Sequence, residues 1–178
     1  MVTYGQCVGR TAKSHFNDLA GLYTAVYTGP PYNEGPEQIA RFREKLPAEA
    51  SFPGFSLVTA HAEGPLIGAA YGWTMPAGTW WSRADQEPSS ELRKVDKFAV
   101  MEWIVHPDYQ SHGVGRKLMH SLLADRTERW ATLASNPESA ARRMYERAGW
   151  QQVGTSSLPW GTPMELLVLD LHRQATRR

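Results

Sequence analysis

Phe16, Leu19, Ala20, Tyr23 and Val26 recur at helical spacing and predict an amphipathic helix. Thr28-Gly29-Pro30-Pro31 stops it. Gly35-Pro36 opens a second helix, because proline at an early helical position gives up an N–H that has no partner there. Ile39, Phe42 and Leu46 form the apolar stripe of that helix, and Pro47 is expected to end it. The period then changes. Residues 55–60 and 66–73 read as the two strands of a hairpin around the turn Glu63-Gly64-Pro65. Residues 75–94 follow as a long polar connection containing Trp80-Trp81. A connection of that length in a compact domain is usually functional or disordered. Two tryptophans within it fit a ligand surface as well as aromatics folded back onto the sheet.

Residues 97–105 are a mostly apolar run interrupted by Glu102, as a central strand would be. His106-Pro107-Asp108-Tyr109 leaves that strand, and Leu118, Met119, Leu122 and Leu123 mark a helix beginning near Gly113. Residues 130–134 read as a short strand. Ser135-Asn136-Pro137 leads into a helix carrying Ala140, Ala141, Met144, Tyr145 and Ala148, closed by Gly149 in the position that tolerates a left-handed backbone. Residues 150–154 and 164–171 fit final strands, and residues 2–8 a short first one. The order predicts a mixed α/β sheet in one domain spanning residues 1–178.

Composition narrows the classes. The formal net charge of +1 argues against a large nucleic-acid surface, and no apolar stretch reaches membrane-spanning length. The short basic tail, residues 172–178, reads as a solvated terminus. Cys7 is the single cysteine, so no internal disulfide can form, and a cytoplasmic location is expected. Cys7 itself reads as a small buried hydrophobe. His61, His112, His120 and His172 show no metal-ligand spacing, so no metal is expected; His15 reads as a helix-face residue near the surface and His106 as structural.

The strand, glycine turn and helix start between residues 97 and 123 carry the most specific chemistry. The first N–H groups of a helix lack internal partners and sit at the positive end of its dipole, and glycine lets an anion approach them. Such a turn suits phosphate. A dinucleotide-binding turn would have a third glycine where Leu118 stands, and a Walker loop would need Gly-Lys-Ser/Thr. A purely structural strand-to-helix turn stays open on these residues alone. Gln110-x-x-Gly113-x-Gly115 resembles the acyl-CoA signature of the GNAT acetyltransferase superfamily. The preceding residues 105–109 and the later block Asn136 to Trp150 are similar to that family too, with the clearest match over 97–154.

The resemblance implies a mostly antiparallel central sheet flanked by helices and splayed at the acyl-CoA site. It implies that Gln110, Ser111, His112, Gly113, Val114, Gly115 and Arg116 cradle the pyrophosphate of acetyl-CoA. The main chain of Trp103, Ile104 and Val105 would pair with the pantetheine arm, and Asn136 would hydrogen-bond that arm. Tyr145 would protonate the leaving thiolate. Glu102 is the candidate base or ammonium-binding group, because a carboxylate in an apolar strand is costly unless it is paired or reaches water. Its alternative is a salt bridge to Lys97 or Arg93. Tyr27, Trp80 and Trp81 are candidates for the acceptor side, with Tyr23, Tyr32, Trp73, Glu34 and Glu37 nearby in the same reading. The expected function is acetyl transfer from acetyl-CoA to a primary amine of a small molecule. The alternatives are a protein N-terminal or lysine acetyltransferase, and a non-catalytic CoA-binding regulatory domain. Dimers are frequent in the family, so a homodimer is also expected.

Overall fold

The structure is a computed structural model that describes residues 1–175. Residues 176–178 of the basic tail lie outside the described residues. The fold is mixed α/β, with a seven-stranded, mostly antiparallel sheet flanked by helices among the described residues. The chain forms two compact units, Met1–Trp73 with Met101–Ala124 and Thr74–Val100 with Asp125–Arg178.

The first unit starts with strand β1 (Val2–Val8) and, after a 3-10 turn, helix α1 (Phe16–Tyr27). Helix α2 (Pro36–Glu49) follows, opened by Gly35, whose N–H donates to Oε1 of Gln38 at 3.0 Å. Strands β2 (Ser56–Ala62) and β3 (Leu66–Met75) form the expected hairpin, and β1 pairs antiparallel with β2 from Val2–Ala62 to Val8–Ser56. The second half of β4 (Lys97–Val105) continues this sheet, and its exit is held where His106 N–H donates to the Ile67 carbonyl at 2.8 Å. One core packs Leu19, Leu22, Tyr23, Phe42 and Leu46 of the helices against Leu57, Tyr71 and Ile104 of the strands. Burying each such side chain stabilises the unit by roughly 1.5–3 kcal/mol.

Helix α4 (Val114–Leu123) packs on the sheet through the buried residues Val114, Leu118 and Leu122. Gly68 on β3 makes room for it. A Cβ there would stand 2.9 Å from Leu118 Cδ1 and 3.2 Å from Val114 Cγ1.

Pro47 does not end α2, which runs on to Glu49. The lost donor falls in the last turn, and that turn closes through Ala50 N–H donating to the Leu46 carbonyl at 2.9 Å. Leu46 and Ala50 are both buried, which offsets one missing hydrogen bond.

In the second unit, the polar connection after β3 contains a short helix α3 (Ser90–Arg93), capped by Ser89. The first half of β4 pairs in parallel with β5 (Trp130–Ser135) over Lys97–Trp130, Phe98–Ala131 and Ala99–Thr132. Strand β5 pairs antiparallel with β7 (Pro163–Asp170), which pairs antiparallel with β6 (Gln151–Ser157). A short helix α6 (Leu171–Ala175) follows β7.

The helix expected after Asn136 is shorter than its apolar pattern suggested: α5 covers only Arg142–Arg147. Asn136 diverts the chain first. Its Oδ1 accepts the Glu138 N–H at 2.9 Å and its carbonyl accepts the Ser139 N–H at 3.0 Å, so a side-chain turn replaces the first helical turns. Gly149, with φ of 89°, closes α5 as expected.

Candidate active site

The glycine turn sits in the first unit, at the start of α4. Ser111 and Gly113 have φ of 64° and 80°, and Gly113 caps α4 in the left-handed conformation. Among the described residues no side chain caps this helix N-terminus. Its leading N–H groups therefore face outward with the positive end of the dipole, as a phosphate requires. Arg116 and Lys117 are exposed beside it. Residues 110–116 thus fit a diphosphate: the donors are main-chain, the glycine leaves open space, and two cations flank the turn.

The two glycines differ in what they do. A Cβ on Gly113 would meet only Arg116 Nη2, at 4.0 Å, so backbone conformation is what demands glycine there. A Cβ on Gly115 would stand 3.1 Å from Cζ2 of Trp103 and 3.4 Å from Cγ2 of Val105. The Trp103 indole N–H also donates to the Gly115 carbonyl at 2.9 Å. Gly115 is therefore small because Trp103 fills its place from the sheet side. Gln110 acts within the turn as well: its Nε2 donates to the Val105 carbonyl at 3.0 Å, tying the turn to the end of β4. The His112 ring lies 2.6 Å from the Gln110 carbonyl. His106 keeps a local role, its Nδ1 accepting the Asp108 N–H at 3.3 Å.

Strand alternation separates the two sides of β4. Trp103 and Val105 face Gly115 of α4. Ile104 joins the core under α1 and α2, and Glu102 points toward the same helices. Its partner is neither Lys97 nor Arg93. Tyr27 of α1 donates its hydroxyl to Glu102 Oε2 at 2.8 Å. The Lys97 ammonium, fully buried, donates instead to the carbonyls of Leu92 and Val95 at 3.0 and 2.8 Å. Arg93 pairs with Glu87.

Glu102 belongs to a cluster of three carboxylates, each holding one tyrosine hydroxyl. Tyr23 donates to Glu34 Oε2 at 2.5 Å, and Tyr71 donates to Glu49 Oε2 at 2.8 Å. Lys45 approaches Glu49 Oε1 at 3.5 Å. The rings of Tyr23 and Tyr27 lie 4.4 Å apart, and Tyr32 meets Tyr27 edge-on at 4.7 Å. Burial pushes the Glu102 carboxyl up to about 7; the Lys45 charge and the Tyr27 hydrogen bond pull it down, and the charges of Glu49 and Glu34 push it further up. Burial, and then the Glu102 charge, hold the phenols of Tyr23, Tyr27 and Tyr71 well above the usual range, so all three stay protonated donors.

Glu49 and Tyr71 were missed in the sequence reading. A signal for Glu49 existed: Phe42, Leu46 and Glu49 stand at i, i+4 and i+7, which puts a charge on the buried stripe of α2.

The second unit holds the remaining candidates. Tyr145 is buried in α5 and meets Trp150 edge-on at 5.8 Å. Arg142 fixes α5, pairing with Glu165 of β7 and with Glu146 at 2.8 Å. Asn136 uses its Oδ1 within its own turn. Trp81 donates its indole N–H to Thr132 Oγ1 at 3.0 Å, and so folds back onto β5, while Trp80 is half-buried.

A family model described as Acetyltransferase (GNAT) domain matches residues 56–152. A comparison with curated protein sequences finds no match. Among solved structures, the chain is similar to a protein from Pyrococcus horikoshii OT3, with TM-score 0.67 and 19% identity over 96% of this chain and 98% of that one. The ribosomal-protein-S18-alanine N-acetyltransferase of Escherichia coli gives TM-score 0.61 and 15% identity, covering 96% and 94%. The PaiA N-acetyltransferase of Thermoplasma acidophilum, solved with coenzyme A, gives TM-score 0.64 and 12% identity, covering 96% and 99%. At these identities the structures speak for the fold, and the family match takes in the hairpin, the central strand, the glycine turn and the Asn136 block. The chain belongs to the GNAT acetyltransferase family.

Proposed function

We propose that the chain is an N-acetyltransferase that moves the acetyl group of acetyl-CoA to a primary amine of a small molecule. The observation that carries this reading is Glu102, a half-buried carboxylate bonded to the Tyr27 hydroxyl, three residues before the end of the strand that feeds the phosphate turn. The turn at residues 110–116 would hold the cofactor diphosphate, and the main chain of residues 103–105 would take the pantetheine arm. Asn136 would bond the same arm, and Tyr145 would stand at the sulfur.

In the reaction the neutral amine nitrogen attacks the thioester carbon, and the C–S bond breaks as the tetrahedral intermediate collapses. The ammonium form of the acceptor gives one proton to Glu102, directly or through water, to become the attacking amine; the second N–H proton, lost as the intermediate collapses, restores through water the one that Tyr145 gives up. The departing thiolate takes a proton from the Tyr145 hydroxyl. A base that titrates near neutrality suits this task, because a substantial fraction is ionised near pH 7 and the ionised form still binds a proton well.

The acceptor is proposed to be cationic before it reacts, since Glu102, Glu34 and Glu49 gather negative charge in the first unit. The lone Cys7 keeps the cytoplasm as the proposed compartment, and a homodimer is the proposed assembly. Thermal-shift binding of acetyl-CoA, followed by a thiol-release screen over small amines, tests the reading. A rise in melting temperature with acetyl-CoA and release of CoA with an amine are expected. Binding without release on a broad panel of amines and peptides would instead favour a regulatory CoA-binding role, and no binding of any CoA ester would overturn the proposal.

A further inference from the structure

We propose that Tyr27 is a positioning residue for acetyl transfer, its hydroxyl holding Oε2 of Glu102 so that Oε1 is the oxygen left to receive the proton of the amine. This rests on the reading of Glu102 as the proton acceptor.

Four observations support it. The Tyr27 hydroxyl donates to Oε2 at 2.8 Å, and Oε1 has no hydrogen-bond donor among the described residues. The Tyr27 ring cannot readily swing away, because Tyr23 packs against it at 4.4 Å and Tyr32 at 4.7 Å. Two of the neighbouring phenols are committed elsewhere, Tyr23 to Glu34 and Tyr71 to Glu49. Burial and then the Glu102 charge keep the Tyr27 phenol protonated, so it donates to Glu102 and does not take the proton in its place. A glutamate side chain has three rotatable bonds, and a rigid donor that fixes one oxygen also fixes the direction of the other.

The groups around Glu102 come from every element packed on it. Tyr23 and Tyr27 come from α1, Tyr32 and Glu34 from the segment after it, Lys45 and Glu49 from α2, and Tyr71 from β3. The donated hydrogen bond favours the ionised carboxylate, and the charges of Glu49 and Glu34 oppose ionisation. Two substitutions therefore move Glu102 in opposite directions. Tyr27→Phe keeps the ring contacts, removes the donor and raises the titration midpoint. Glu49→Gln removes a negative charge, frees the Lys45 charge and lowers it.

The test is a carboxyl-carbon NMR titration of Glu102 in the full chain without any amine, together with pH–rate profiles of the same proteins. Tyr27→Phe is expected to raise the midpoint by about one pH unit, and Glu49→Gln to lower it. The rate profiles should follow the same shifts. In Tyr27→Phe, kcat at high pH should still fall severalfold, with KM for acetyl-CoA unchanged, because the freed carboxylate is ionised but no longer aimed. A role in packing alone would leave the midpoint where it is. A Glu102 midpoint within about 0.3 unit of the parent in Tyr27→Phe overturns the proposal whatever the rates do. A midpoint that moves while the rate profile stays still overturns Glu102 as the proton acceptor, and the proposal with it. The two failures are thereby told apart.

Discussion

Glu102 makes stability depend on pH in a direction that can be checked. Its carboxyl takes up a proton at about 7 in the folded chain against 4.5 as an ordinary side chain. The folded state thus binds more protons between those values, and stability falls as pH rises there. The contribution is full below about 4.5 and is lost as pH passes through about 7. Glu102→Gln, an uncharged isostere, should therefore melt a few degrees higher than the parent at pH 8 and show a smaller gain at pH 5, measured by calorimetry. The same variant should lose turnover at every pH, because the amide takes up no proton. Tyr145→Phe should lower kcat by about 10²-fold with acetyl-CoA affinity unchanged, as expected for removal of a general acid. Equal binding and equal turnover in both variants would remove these residues from the reaction. Glu102 was legible in the sequence because a charge inside an apolar strand stands out. Its partner was not, because Tyr27 lies 75 positions away and only the packing of α1 on β4 brings the two together.

Among the elements, the glycine turn and α4 show how one motif serves two needs. Gly113→Ala would place a Cβ on a backbone with φ of 80°, at a cost of about 1–2 kcal/mol. Gly115→Ala meets a different obstacle, the Trp103 indole 3.1 Å away, and overpacking of this kind costs about 1–3 kcal/mol. Pairing Gly115→Ala with Trp103→Phe should recover part of that loss, while Gly113→Ala with Trp103→Phe should not. A double-mutant cycle in chemical denaturation reads the difference. The sequence pattern located the strand, turn and helix from Gln110, Gly113 and Gly115, but it treated both glycines as open to the anion. Only the structure shows that Gly115 is closed by a side chain from twelve residues earlier. Helix α5 is shorter than its apolar spacing predicts for a similar reason. Ala140 and Ala141 continue the helical spacing, yet the Asn136 side chain competes for the first N–H groups and spacing alone does not register that.

For the whole molecule, the succession of elements along the chain was legible because the apolar period changes from helical to alternating and the turns carry glycine or proline, whereas the order of strands across the sheet was not. The division into two compact units was not, because it is set by contacts between distant stretches. Each unit is discontinuous: the first joins Met1–Trp73 to Met101–Ala124, and the second joins Thr74–Val100 to Asp125–Arg178. No single cut in the chain releases either as one fragment, so neither is an excisable module. The same follows for the segment that carries the family signature. A protein trimmed to residues 56–152 would lack α1 and α2, and with them Tyr27, Glu34 and Glu49. It would also lack β7, which pairs with β5 over six residues. Such a fragment should express as an unfolded chain by circular dichroism, although it contains every residue of the glycine turn. The stretch most easily recognised in this family is therefore not the smallest piece that folds.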